Sequence, residues 1–383
     1  MNKSLIYTIA YTNNLMFFTG LIIILTIFGY GALAAEIGIV YSLVSLINQI
    51  FSYNLKNLIL FDNNKQFASE VFNFRIFLGI LIFLFYIFSS QLYDFKFYSN
   101  KLLLLLTIIV IQQWLIEILI IISEINKITK PSKNYNWMSF LNFLLILLNI
   151  LFFKNNYLEE IFILILIENL IFILIHLKIN KKFNLKFINI FNSVTKIFAL
   201  TSSISIILSI FFWRLFIYIN YEKEIVGILF SSFAIGSFAG SFFSTAIGPS
   251  IVRNRIDISG YLKLYAYLCI IVIGFLFLVL NYHEKFNLDY NQVYFLKSIN
   301  YSITGSSLML FAAAFRLNFF YSNINKRKYI FRYDIFNSLL ISLIPLAIYH
   351  IDKNFIIASY LIASILSFIM NFYLYKKNND KYK

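Results

Sequence analysis

The sequence predicts an all-α, polytopic membrane protein with about 12 transmembrane helices in two six-helix lobes. Three observations predict it. Apolar stretches long enough to span a bilayer fill the 383 residues almost end to end, and a crossing helix needs about 20 mostly apolar residues. Hydrophobic residues make up 60% of the chain and charged residues 13%, against about 25% charge in a soluble domain. Lysine and arginine fall alternately heavy and light between the stretches, which is the pattern that orients a membrane protein.

The crossings are expected at about 7–29, 36–58, 72–92, 101–123, 137–153 and 157–177, and then at 197–219, 225–247, 261–281, 294–318, 329–350 and 355–375. The first carries Thr8, Thr12, Thr19 and Thr26 on one face. The second carries Ser42, Ser45, Gln49, Ser52 and Lys56, alternating steps of three and four along one helical face. The fourth aligns Gln113, Glu117 and Glu124, and the sixth holds Glu168-Asn169 near mid-depth. The eighth sets Ser232, Gly236, Gly240, Ser244 and Gly248 at every fourth position, a small-residue ridge that admits a close neighbouring backbone. The tenth carries Lys297 and Arg316 on one side, with Tyr301, Gly305 and Ala312 between them. Nineteen residues at 1.5 Å place these two cations about 28 Å apart, one at each mouth.

The net charge of +15 is topology and not a nucleic-acid signal. With the N-terminus in the cytoplasm, 23 of the 32 basic residues collect on the cytoplasmic side, Arg75 among them. Six lie opposite (Lys96, Lys101, Lys154, Lys223, Lys285 and Lys353), and Arg214, Lys297 and Arg316 fall inside spans. Both termini are therefore expected in the cytoplasm, with the basic loops near anionic lipid. With Cys269 replaced, single cysteines at 222 or 285 are expected to react with an impermeant thiol reagent added outside, and one at 186 is not. Labelling at 186 from outside reverses the orientation. Ala32-Leu33-Ala34 has the small-x-small form of a cleavage site, but the preceding apolar run from Leu5 to Phe28 exceeds a signal-peptide core, so no cleavage is expected.

The segment at 178–196 is the longest and most basic, and it divides the chain into lobes 1–185 and 186–383. Each half opens alike. Glu36-Ile37-Gly38-Ile39-Val40-Tyr41-Ser42 begins the second crossing, and Glu224-Ile225-Val226-Gly227-Ile228-Leu229-Phe230-Ser231 begins the eighth. Aligning Gly38 with Gly227 gives an offset of 189. Six helices per half make such repeats parallel, related by an axis along the membrane normal.

An acidic residue followed by Gly-Ile-Val-Tyr-Ser at the start of the second helix resembles the opening of Wzx-type polysaccharide flippases, within the multidrug/oligosaccharidyl-lipid/polysaccharide exporter superfamily. That family usually has a Leu-Gly-Pro-x-x-Tyr-Gly turn here. This chain reads Tyr30-Gly31-Ala32-Leu33-Ala34-Ala35-Glu36-Ile37-Gly38, without the proline and with Ile37 in place of tyrosine. The second half is closer, with Arg214, then Tyr221-Glu222-Lys223-Glu224-Ile225-Val226-Gly227, then Gly248-Pro249-Ser250. Asn54–Lys65 is similar to the family's turn before helix 3. The resemblance implies two six-helix lobes around a cavity that opens alternately to each side. It also implies a lipid-linked anionic glycan as cargo, O-antigen-type polysaccharide assembly at a bacterial inner membrane, and neighbouring glycan-assembly membrane proteins as partners.

A charged group inside a span is costly and usually faces protein or a watery cavity. Arg214, Lys297, Arg316 and Lys56 are the candidates for a cationic cavity that grips an anionic head group, and arginine can do so bidentately. Snorkelling to the interface is the alternative for the terminal cations. Gln49, Gln113, Glu117 and Glu168 are candidates for cavity lining or coupling. For the two acids, pairing with a cation such as Arg214 competes with a protonatable role.

Other chemistry has no carrier. No Gly-x-x-x-x-Gly-Lys-[Ser/Thr] loop is present. His176, His283 and His350 lack metal spacing, and one cysteine with three prolines excludes a disulfide framework. No catalytic residue, cofactor or metal is expected. The expected activity is flipping of a lipid-linked oligosaccharide by alternating access. A small-molecule or drug exporter, or a membrane enzyme of glycan assembly using Glu117 or Glu168, are the alternatives.

Overall fold

The computed structural model describes residues 3–52, 65–92, 101–154, 156–179, 208–242, 259–285, 289–322 and 327–379. Among them are twelve α-helices in chain order: α1 Lys3–Ile27, α2 Gly31–Ser52, α3 Lys65–Leu92, α4 Lys101–Ile125, α5 Lys130–Phe153, α6 Leu158–Ile179, α7 Leu208–Asn220, α8 Lys223–Phe242, α9 Ser259–Asn281, α10 Tyr290–Ser322, α11 Arg327–Ile351 and α12 Ser359–Asn379. A 3-10 turn, Lys353–Ala358, leads into α12. Each helix coincides with one expected crossing, and no strand occurs among the described residues. The chain is an all-α polytopic membrane protein.

Helix ends depart from the hydropathy limits where polar residues are still good helix formers. Helix α2 begins at Gly31, because the alanine-rich Gly31–Ala35 turn winds readily. Helix α5 begins at Lys130 with Pro131 in its first turn, where the missing N–H costs nothing. Helix α3 begins at Lys65 and not at 72, which places Arg75 three turns inside it. The turns are tight. Gly29 at φ +82° reverses the chain between α1 and α2, a conformation glycine adopts without a Cβ penalty. Lys127 and Lys154 take the left-handed conformation at the ends of α4 and α5.

The chain forms two compact units, Met1–Gly29 with Glu36–Leu200, and Tyr30–Ala35 with Thr201–Lys383. The expected boundary at 185/186 lies outside the described residues. In the first unit α4 is the central helix. Ile116, Ile118, Leu119, Ile120, Ile121 and Ile122 are buried around nearly its whole circumference, against Tyr7, Ala10 and Tyr11 of α1, Phe72 of α3, Tyr135 of α5 and Phe172 of α6. A helix buried on nearly every side belongs at the centre of a membrane bundle. Helices α5 and α6 expose Trp137, Phe140, Phe152, Ile167 and Leu174, side chains that suit lipid.

In the second unit α10 packs against α8, α9 and α12. Small residues permit the approach. A Cβ at Gly236 of α8 would stand 2.5–2.7 Å from the backbone and Cβ of Ser302, and one at Gly305 would stand 2.9 Å from the Tyr360 ring. The ridge read from the sequence is therefore a packing surface at Gly236, while the side-chain surroundings of position 240 lie outside the described residues. The first turn of α2 joins this unit, where the Gly31 carbonyl lies against Gly227 so closely that no Cβ fits at Gly227.

Candidate functional site

Arg75 is the least expected residue in the first unit. It is 2% exposed, and its Nη1 donates to Glu117 Oε2 at 2.8 Å and to the Trp114 carbonyl at 2.6 Å. Glu117 is 23% exposed. It sits four residues after Gln113 on α4 and lies close enough to Tyr11 and Tyr135 to couple with them electrostatically. Nη1 bridges the carboxylate and a main-chain carbonyl, and removing the acid from such a pair leaves a buried charge uncompensated. Arg75 Nε is buried without a hydrogen-bond partner.

A polar web surrounds this pair. Asn14 of α1 donates to the Gln113 carbonyl at 3.1 Å and accepts from the Tyr135 hydroxyl at 3.1 Å. Asn13 donates to Asn136 at 3.1 Å, and Tyr11 donates to Glu124 Oε2 at 2.8 Å. Glu117, Glu124 and Gln113 thus all face neighbouring helices, as their common stripe on α4 requires. Glu168 of α6 hydrogen-bonds with Asn142 of α5, while its Oε2 and the Asn142 Oδ1 are buried without further partners.

Arg214 occupies the second unit. Its guanidinium lies over the Phe230 ring at 5.5 Å and the Phe233 ring at 5.4 Å, both on α8. Cation–π contacts of this kind stabilise a partly desolvated charge by about 1–2 kcal/mol. The surround is rigid. Trp213 Nε1 donates to Ser359 Oγ at 3.3 Å, Trp213 packs on Phe233 at 5.1 Å, and Phe233 meets the Tyr360 ring edge-on at 4.9 Å.

The other candidates disperse. Lys297 is exposed on α10. Arg316 is on the same helix and Gln49 is on α2, but their side chains are outside the described residues, as is Lys56 altogether. The cation that pairs with Glu117 is Arg75, not the Arg214 considered from sequence. Counting Arg75 among the flanking cytoplasmic charges missed its burial. The Phe74-Arg75-Ile76-Phe77 context, apolar on both sides, carries the signal that an arginine there faces protein. Among the described residues, no group of three or more His, Cys, Asp or Glu side chains could hold a metal ion.

No protein-family profile and no curated protein matches the sequence. Solved structures match its fold. One is a transporter of the MOP superfamily from Pyrococcus furiosus Vc1 (DSM3638), described as having a binding pocket of reverse polarity that suggests a different function. The TM-score is 0.52 at 14% identity, over 98% of this chain and 94% of that one. Another is the outward-facing conformation of a multidrug resistance MATE family transporter of the same superfamily, with a TM-score of 0.54 at 14% identity over 99% of this chain and 96% of that one. The twelve-helix fold of this chain is the fold of those transporters.

Proposed function

We propose that this chain is a transporter that flips a lipid-linked oligosaccharide from the cytoplasmic to the outer leaflet of a bacterial inner membrane by alternating access between its two lobes. The observation that carries the reading is Arg214, a guanidinium held within a spanning helix by two phenylalanine faces. A guanidinium within a span is suited to grip an anionic pyrophosphate bidentately. Lys297, exposed on α10, adds a cation on a second spanning helix, and the sequence expects Arg316 to add another. In the Pyrococcus furiosus protein of similar fold, a reverse polarity of the binding pocket suggests a different function. The head group enters among these cations while its lipid tail stays in the bilayer. Both termini and the 178–196 segment stand in the cytoplasm.

The test is transfer of a fluorescent lipid-linked oligosaccharide across liposomes that contain the purified protein. Gln at Arg214, Lys297 and Arg316 together is expected to reduce transfer at least tenfold with no loss of folded protein. Lys at Arg214 is expected to rescue only in part, because an ammonium cannot reproduce the guanidinium fork. Full transfer by the triple variant removes the cationic-cavity mechanism.

One observation favours a second reading, a cation-coupled exporter of small molecules. Glu168 presents, among the described residues, a buried carboxylate oxygen with no hydrogen-bond partner inside a spanning helix, where an acid often marks an ion pathway. Gln at Glu168 is expected to leave glycan transfer intact on the flippase reading and to abolish export on the other. An enzyme of glycan assembly is the least favoured, because Glu117 is engaged by Arg75 and Glu168 by Asn142.

A further inference from the structure

The end of the second unit read as outer gathers tyrosines from separate elements. Tyr290 and Tyr294 stand one turn apart at the start of α10, their rings 6.3 Å apart and within 26° of parallel, and Tyr290 is 80% exposed. Tyr294 is close enough to Tyr221, in the α7–α8 connection, for the two to couple electrostatically. Tyr221 meets Tyr349 at the end of α11 edge-on at 5.8 Å, and its hydroxyl donates to the Lys353 carbonyl at 3.0 Å. Burial, with Tyr349 and Asp352 nearby, pushes the Tyr221 phenol up to about 12, so this hydroxyl keeps its proton at any physiological pH.

An interfacial tyrosine usually lays its ring singly against the acyl boundary. Here four rings from three elements converge, and the foremost, Tyr290, is open to solvent with Tyr294 half-buried behind it. A flat, open aromatic face with hydroxyl donors beside it is suited to the C–H face of a pyranose ring. An organic cation is disfavoured, since Lys353 Nζ already covers Tyr349 at 4.8 Å and Lys285 Nζ covers nearby Tyr282 at 4.9 Å. A further positive charge would meet these ammonium groups.

We infer that Tyr290 and Tyr294, backed by Tyr221 and Tyr349, form a subsite that stacks uncharged sugar rings at the outer mouth. This deepens the reading above and rests on it: the subsite receives the glycan of the transported head group as the pyrophosphate leaves the cations.

The test uses full-length protein in nanodiscs on an array of neutral and acidic oligosaccharides. The parent is expected to bind a subset of neutral glycans. Tyr290→Ala/Tyr294→Ala is expected to bind them about tenfold more weakly, the scale of a lost stacking pair. Tyr290→Phe/Tyr294→Phe, which keeps the rings, is expected to retain binding and controls for folding alongside the melting temperature of each variant. Binding to no neutral glycan by the parent, equal binding by the Ala variant, or loss in the Phe variant as large as in the Ala variant overturns the subsite. Tetraphenylphosphonium bound at these tyrosines instead overturns it too. Transport reads separately. If liposomes containing the parent move no lipid-linked glycan while array binding depends on the tyrosines, the transport reading fails and the subsite stands. If they move it and the Ala variant matches the parent in both assays, the subsite fails and the transport reading stands.

Discussion

Glu117→Leu is expected to destabilise the protein by about 3–5 kcal/mol, the scale of breaking a buried pair by removing one partner. Arg75 is then left charged at 2% exposure, with the Trp114 carbonyl as its remaining acceptor among the described residues. Arg75→Met alone should cost less, because Glu117, unlike Arg75, is partly exposed. The double variant Arg75→Met/Glu117→Leu should recover most of the loss, because apolar side chains of similar volume often replace such a pair without penalty. Thermal unfolding of the purified protein in detergent measures all three. A Glu117→Leu variant as stable as the parent would show that the ion pair is not what holds α3 to α4. A double variant that is stable but inactive would move the pair from scaffold to mechanism.

Gly236→Leu is expected to have the second largest effect. A Cβ there already meets the Ser302 main chain at 2.5 and 2.6 Å, and backbone cannot swing aside as a side-chain tip can. Helices α8 and α10 would have to separate. Overpacking commonly costs about 1–3 kcal/mol, and a backbone collision belongs at or above the upper end. Folded yield should fall with it. Gly274→Leu provides the control, since nothing lies within 4 Å of a Cβ on that exposed face of α9. Equal melting temperatures for the Gly236 and Gly274 variants would contradict the packing account. A stable but inactive Gly236→Leu would make the ridge a moving surface.

The twelve helices were legible because hydrophobic length is the strongest signal a membrane sequence has. What hydropathy misses is where polar turns remain helical. Lys65–Val71 winds into α3 although it is not apolar, and that shift carries Arg75 from a flank to the interior. The stripe of Gln113, Glu117 and Glu124 was visible as a helical face, but its partners Asn14, Tyr11 and Arg75 come from helices about 40 to 110 residues away. Spacing within one helix cannot name them. Arg214 stood out as a charge inside a span. The aromatic sandwich of Phe230 and Phe233 did not, because phenylalanine is abundant here, with 45 in the chain, and no single pair is informative. The glycine ridge was read correctly at Gly236, where small residues at every fourth position leave a neighbouring backbone as the natural occupant.

The central claim is that the cargo is an anionic lipid-linked glycan and not a small organic cation. One preparation of liposomes containing the parent protein decides between them. A fluorescent lipid-linked oligosaccharide on the inner leaflet and tetraphenylphosphonium in the lumen are followed together. The account predicts that the glycan becomes accessible to an external glycosidase at a rate that falls with the Arg214→Gln variant, while the cation stays enclosed. Release of the cation with the glycan held inside would contradict it.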